Sequence, residues 1–479
     1  MNFAMVRYLL GWILLCEGAL MTLPAAVSAL YRETAGWALL GTAALCAALG
    51  SLLLRKKPEN RVLYQREGFV ITALSWIAIS VLGSLPFLLT GAITHPVDAL
   101  FETVSGFTTT GASILREVES LPRGLLFWRS FTHWIGGMGV LVFLLTLLPL
   151  TGGSHVNLMR AESPGPQVDK LVPKVQSTAK ILYGIYLALT ALEIVFLLAG
   201  HMAPFDAVTT AFGTAGTGGF GIRNDSMASY SPYLQNVVTV FMILFGVNFN
   251  FYFLLLLRKV RRAAAIEEVR WYFLIILATV AIISFNIAGL YPTIWDTLRH
   301  AAFQVGSIIT TTGFATTDFN LWPQLSKTIL VILMFIGACA GSTGGGIKVS
   351  RLLILCKSLR KERRHLLHPQ NVGVLSMDGK PVPHAVVRST NVFMVAYVLI
   401  FFASLLLISF DNYDFATSFT AVAATLNNIG PGLELVGPAE NFSLFSAPAK
   451  LVLIFDMLAG RLELFPLLLL FTKDTWKRF

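Results

Sequence analysis

A chain of 479 residues that is 55% hydrophobic and 13% charged, with a mean hydropathy of +0.70, has too little polar surface to cover a soluble globule of its size. It is an integral, multi-pass membrane protein. The formal charge of +10 does not mark a nucleic-acid surface, because the basic residues fall in alternate loops, the pattern that orients a chain in a bilayer.

In chain order, apolar stretches of roughly the 20 residues a spanning helix needs lie near 4 to 30, 35 to 54, 69 to 92, 124 to 150, 179 to 200, 233 to 257, 270 to 291, 325 to 355, 390 to 410 and 447 to 471. About ten spans are expected. The first holds Arg7 near its start and runs through Ala25 to Ala29, small residues that also suit a signal-peptide cleavage site. The run is long, carries Glu17 and pairs with the span near 35 to 54, which favours a two-helix extension over residues 1–66. Basic loops at Arg55, Lys56, Lys57, Arg61 and Arg66, at Arg258, Lys259, Arg261 and Arg262, and at Lys357, Arg360, Lys361, Arg363 and Arg364, with a tail holding Lys473, Lys477 and Arg478, mark the cytoplasmic side and put both termini there.

The remaining spans come in pairs, and the connection inside each pair is a polar, glycine-bearing turn. These are Thr108 to Gly111, Ala215 to Gly219, Thr310 to Gly313 and Asn427 to Gly430, all in acid-containing connections on the side opposite the basic loops. Gly111, Gly218, Gly313 and Gly430 recur about every 100 residues, the length of a unit made of outer helix, short pore helix, loop and inner helix. The expected units are 67–178, 179–268, 269–388 and 389–479, around a pseudo-fourfold pore in an all-α protein. Asp98, Asp206, Asp296 and Asp414 stand at comparable places upstream of the turns, where each is expected to cap a pore helix. Four inward-running helices then aim their negative ends at one axis and favour a cation at mid-membrane.

Irregular backbone survives at membrane depth only where protein or water receives its polar groups. Rings of backbone carbonyls replace the hydration shell of a monovalent cation without the trap a carboxylate makes, and glycine lets successive carbonyls turn to one axis. Thr108 to Thr110 and Thr310 to Thr312 can add hydroxyls, while Thr217, Asn427 and Asn428 can hold the loops from behind. No acid lies within the turns, which argues against a divalent site. Glu117, Glu119, Asp225, Asp318 and Glu434 follow them, either concentrating cations at an outer mouth or simply solvated.

Gly216 to Gly221 satisfies a dinucleotide fingerprint without a strand before it, and Gly341 to Lys348 misses the phosphate-loop spacing, so neither signals nucleotide binding by this chain. Cys16, Cys46, Cys339 and Cys356 show no paired spacing, and the eight histidines, His155 among them, fit neither a metal site nor a catalytic triad. No enzyme and no cofactor are expected.

The segments Ser105 to Ala112, Thr217 to Phe220, Thr310 to Phe314, Asn427 to Gly432 and, most specifically, Ala340 to Lys348 resemble the Trk/Ktr/HKT superfamily of potassium transporters, above all the bacterial Trk-type potassium uptake membrane subunit. The resemblance covers nearly the whole chain. It implies K+ transport in a bacterial inner membrane, with Gly111, Gly218, Gly313 and Gly430 as the filter glycines and Thr110, Thr217, Thr312, Asn428 and Ile429 completing the ion site. Relatives with serine in the first loop admit Na+ more readily, so Gly111 implies K+ preference. The same resemblance makes Gly341, Ser342, Thr343, Gly344, Gly345, Gly346 and Lys348 an intramembrane gate loop; a packed helix kink is the other reading of these small residues. Arg461, in Ala459 to Glu463, falls below the filter as a fixed charge against leak, or else pairs with Glu463 near the cytoplasmic end. Asp456 departs from the family pattern. A homodimer and a cytoplasmic ring of nucleotide-binding regulatory subunits are implied, and coupling of K+ to H+ or Na+ remains the alternative to a gated pore.

Overall fold

The computed structural model describes residues 1–60, 63–139, 175–370 and 373–477. Arg61, His155, Arg478 and the second half of the span expected near 124 to 150 lie outside the described residues. Helices dominate. Two of them, α1 (Phe3–Leu30) and α2 (Ala35–Leu54), form an antiparallel hairpin in which small residues let the backbones touch. A Cβ on Gly18 would come within 2.8 Å of Ala43 O, and one on Gly50 equally close to Gly11 O.

Four times thereafter an outer helix leads into a short helix, a turn and a second long element. The first set is α3 (Gln65–Leu89), α4 (Pro96–Phe107) and α5 (Arg123–Met138). The second is α6 (Val175–Ala199), α7 (Pro204–Ala215), α8 (Pro232–Phe245) and α9 (Phe249–Leu256), followed by the basic turn α10 (Val260–Ala264). The third is α11 (Glu267–Asn286), α12 (Ile294–Ile309), α13 (Gln324–Met334) and α14 (Val349–Leu367). A two-residue hairpin of β1 (Ser376–Met377) and β2 (Lys380–Pro381) leads to α15 (His384–Ile408), α16 (Phe415–Leu426), α17 (Ala447–Arg461) and α18 (Phe465–Leu470).

Burial separates the layers. The outer helices leave large apolar side chains uncovered, such as Phe285 at 89% and Leu406 at 68%, as a lipid-facing surface does. The short helices are enclosed from their second turn onward, with Phe101, Val104 and Phe107 of α4 sealed against α3, α5 and the aromatic Trp128.

About ten apolar spans are expected, one of them interrupted at 340 to 348. Among the described residues six helices are long and apolar enough to cross a bilayer, or seven if α8 and α9 count as one despite an 89° bend. The shortfall lies in the second long element of each set. In the first, α5 is capped by Gly139 at φ 81°, where the described residues stop; one bends at 246–248; one opens into a loop over 335–348; one breaks where Glu463 and Leu464 take positive φ. The bend at 246–248 lies in a run that stays apolar on both sides, so an apolar count does not find it, whereas the small residues of 340–348 do mark that break.

Candidate functional site

The C-termini of α4, α7, α12 and α16 end in the same four-residue geometry. Thr108, Gly216, Thr310 and Asn427 cap the helices. Next come Thr109, Thr217, Thr311 and Asn428, all left-handed at φ 53 to 59°. Thr110, Gly218, Thr312 and Ile429 then return their N–H groups to the helix, on Ser105, Gly213, Ser307 and Ala424 carbonyls at 2.8 to 2.9 Å. Gly111, Gly219, Gly313 and Gly430 complete the turn at φ 74 to 97°, which only glycine adopts freely.

This register corrects one equivalence. Gly219, not Gly218, occupies the place of Gly111, Gly313 and Gly430, while Gly218 matches Thr110, Thr312 and Ile429. Two adjacent glycines leave the alignment undecided in sequence; the helix cap decides it.

The four turns close on one another. A Cβ on Gly111 would overlap Gly218 O, one on Gly219 would overlap Thr312 O, one on Gly313 would overlap Ile429 O, and one on Gly430 would stand 2.8 Å from Thr110 O. Each glycine therefore abuts the carbonyl of the next turn, and the cycle runs first to second to third to fourth and back to first. Thr110, Gly218, Thr312 and Ile429 thus contribute one carbonyl each to a ring. The second long elements press on it from outside, since a Cβ on Gly136 would overlap Phe107 O and one on Gly460 would overlap Leu426 O.

The threonine hydroxyls are engaged behind the ring. Thr108 bonds Thr110 at 2.8 Å and Val104 O at 2.7 Å, and Thr310 bonds Thr312 and Gly306 O, each at 2.7 Å. These bonds give the helix carbonyls at each C-terminus the donors they need. Thr217 donates to its neighbour Gly216 O at 2.6 Å. Asn428 Nδ2 donates to Thr110 Oγ1 at 3.0 Å and Met457 O at 2.9 Å, tying the fourth turn to the first, while Asn427 bonds Tyr397 at 2.8 Å.

The acids upstream divide. Asp414 caps α16, accepting from Thr417 N at 2.8 Å. Asp98, Asp206 and Asp296 instead sit within the first turn of α4, α7 and α12, three residues after the caps His95, Ala203 and Thr293. Proline opens α4 and α7 without needing a cap bond, and the acids still face the positive helix ends. Asp98 is held by Lys450 at 2.6 Å and Asp206 by Tyr230 at 2.9 Å.

Beside the ring lies the break between α13 and α14. Gly345 N donates to Thr311 Oγ1 at 2.7 Å, a Cβ on Gly344 would stand 3.0 Å from Thr310 O, and one on Gly345 2.8 Å from Asn427 O. Ser342 bonds Cys339 O at 2.7 Å; Gly341 and Gly346 are left-handed. Lys348, buried, folds its ammonium onto the carbonyls of Gly344 and of Gly345, the latter at 2.8 Å. Arg461 binds this loop at Thr343 O (2.9 Å), the first turn at Thr109 Oγ1 (3.3 Å) and α5 at Gly136 O and Gly137 O, the last at 2.9 Å. Glu463 pairs with Arg351 at 2.5 Å instead of with Arg461. Asp456 is buried behind the fourth turn and accepts from Ser404 at 2.6 Å.

Three buried groups escaped the sequence reading. His133 bonds Gly106 O at 2.7 Å and accepts from Phe220 N at 3.2 Å, stitching α4 to the second turn. Glu102 and Arg129 pair at 2.6 Å, and Arg129 continues to Gly221 O at 2.7 Å. Glu268, at 3% exposure, accepts from Ala340 N and Ser350 N. Charges placed inside or at the mouth of apolar stretches were the available signal.

A family model described as a cation transport protein, TrkH, matches residues 37–477. The chain is 37% identical to the Trk system potassium uptake protein TrkH of Salmonella typhimurium and 38% identical to that of Vibrio parahaemolyticus, covering 100% of both chains in each case. It is 34% identical to the Trk system potassium uptake protein TrkG of Escherichia coli over 98% of each. The crystal structure of the potassium transporter TrkH from Vibrio parahaemolyticus superposes with a TM-score of 0.88 at 34% identity, covering 100% of both chains.

Proposed function

The chain belongs to the TrkH family of cation transport proteins, and from that premise we propose that it carries K+ across a bacterial inner membrane through the ring of turn carbonyls. The closed cycle of glycine against carbonyl is the observation that carries this reading. Peptide oxygens converging from four turns of the one chain replace the water a K+ ion sheds, and the four helix C-termini behind them add negative potential at the same point. Gly111, Gly219, Gly313 and Gly430 let the turns approach; Thr110, Gly218, Thr312 and Ile429 supply oxygens, with Thr109, Thr217, Thr311 and Asn428 as the next layer.

The loop 335–348 acts as the gate. Its contact with the turns at Thr310, Thr311 and Asn427, and the Arg461 guanidinium beside it, support a closed state in which small residues and a fixed positive charge obstruct the path. Opening requires Gly341 to Gly346 to leave that position with Lys348. The four pore units span 67–178, 179–268, 269–388 and 389–479, with residues 1–66 as an added hairpin. Both termini and the basic loops face the cytoplasm, where nucleotide-binding regulatory subunits of a Trk system dock on a homodimer.

Purified protein in liposomes loaded with K+ takes up tracer Rb+ in this account, and external Na+ competes poorly. Equal competition by Na+ would remove the selectivity assigned to the ring.

A further inference from the structure

The intramembrane loop has a neck, made where its two ends meet: Gly337 N bonds Ile347 O at 2.6 Å and Val349 N bonds Ala338 O at 3.3 Å. Outside the neck, one side chain from another helix holds both strands. Glu268 lies in the first turn of α11, and its Oε1 accepts from Ala340 N at 2.7 Å on the entering strand and from Ser350 N at 2.9 Å in the first turn of α14. Its Oε2 faces Asn248 Nδ2 at 3.5 Å, in the bend between α8 and α9.

That bend is bonded to the loop on its own account. Cys339 N donates to Gly246 O and Phe249 N to Gly341 O, both at 3.0 Å. Interruptions in two different repeats therefore form one hydrogen-bonded body, with the Glu268 carboxylate at its centre. A carboxylate oxygen shared by two backbone N–H groups gives stronger bonds than a neutral acceptor, and Ser350 N adds the positive end of α14.

We propose that Glu268 is a positioning residue for permeation, whose carboxylate pins both strands of the 335–348 loop to the α8–α9 bend and so sets how readily the loop leaves the path. The proposal rests on reading that loop as the gate. Opening either breaks the bonds to Ala340 and Ser350 or carries the bend along with the loop. Because the bend continues through α9 into the exposed basic turn at Arg258 to Arg262, a force on the cytoplasmic face reaches the loop through the two main-chain bonds, and this carboxylate sets how far both strands follow.

Reach and charge are separable by substitution. E268Q keeps an oxygen at the same distance; E268D keeps the charge but is one methylene too short to serve both amides. Tracer Rb+ flux is measured in proteoliposomes of the full chain, alongside E268A and a variant lacking residues 342–345. Cys339, buried at 0% exposure beside the neck, reports loop release by its rate of N-ethylmaleimide labelling once Cys16, Cys46 and Cys356 are serine.

The expected result is basal flux and Cys339 labelling raised most in E268D and E268A, about tenfold or more for loss of the charged bonds to Ala340 N and Ser350 N, and raised less in E268Q, which keeps the oxygen without the charge, with Rb+ over Na+ preference unchanged in all. Should E268A fail to assemble, the contrast between E268D and E268Q still decides. Flux raised by the 342–345 deletion but not by E268D overturns the clamp and leaves the gate standing. Flux raised by neither overturns both.

Discussion

The ring of turns and the loop beside it are both irregular backbone at membrane depth, yet they are held in opposite ways. Each turn of the ring meets its neighbour through main chain on main chain, with no rotatable atoms between Gly111 and Gly218 O or between Gly219 and Thr312 O. The loop meets the bend at 246–249 through two main-chain bonds, but its ties to the ring, to α11 and to α17 run through side chains, chiefly Arg461, Thr311 and Glu268. Contacts between backbones cannot be adjusted one at a time, whereas side-chain tethers can be released and remade. The first arrangement suits discrimination between ions that differ little in radius; the second suits a part that moves.

The sharpest way to break this contrast is to give the ring a side chain. Gly219→Ala places a methyl on Thr312 O at a left-handed residue, and K+ over Na+ discrimination is expected to fall about a hundredfold, roughly 2.7 kcal/mol, read from tracer competition in liposomes. Gly111→Ser meets Gly218 O in the same way and is expected to raise Na+ entry by a comparable mechanism; Na+ uptake left at the parental level in both would separate selectivity from the ring. A smaller effect follows from cutting a tether. Arg461→Gln is expected to raise basal Rb+ flux about tenfold with discrimination intact, and a change in selectivity without a change in flux would mean that Arg461 belongs to the ring. Smallest is Asp414→Ala, which removes the cap of α16. Thermal unfolding in detergent is expected to show about 1 kcal/mol lost with flux and selectivity unaltered.

Much of this was legible beforehand, and the gaps have physical causes. The four turns stood out because glycine and threonine interrupt long apolar stretches, and the loop at 340–348 because small residues cannot sustain a helix there. The partner of each glycine was not legible, since Gly111 meets a carbonyl about 100 residues away and carbonyls carry no residue identity. The second turn misled for the same reason: Gly218 and Gly219 are interchangeable in a string and differ only in which one follows the return bond to Gly213 O. Aspartates near helix starts read as caps, but α4 and α7 begin at a proline two residues earlier, which leaves Asp98 and Asp206 inside the first turn. His133 and Glu268 were passed over because their partners are main-chain groups from distant segments, a role that residue spacing does not encode.

The central claim is that four turns present backbone oxygens to one dehydrated K+ ion. Bi-ionic competition between Rb+ and Na+ in reconstituted membranes, on the parent and on Gly219→Ala side by side, tests it most directly. The account predicts strong Rb+ preference in the parent and its loss in the variant with uptake persisting; a parent that passes Na+ and Rb+ alike, or a variant that discriminates as the parent does, contradicts it.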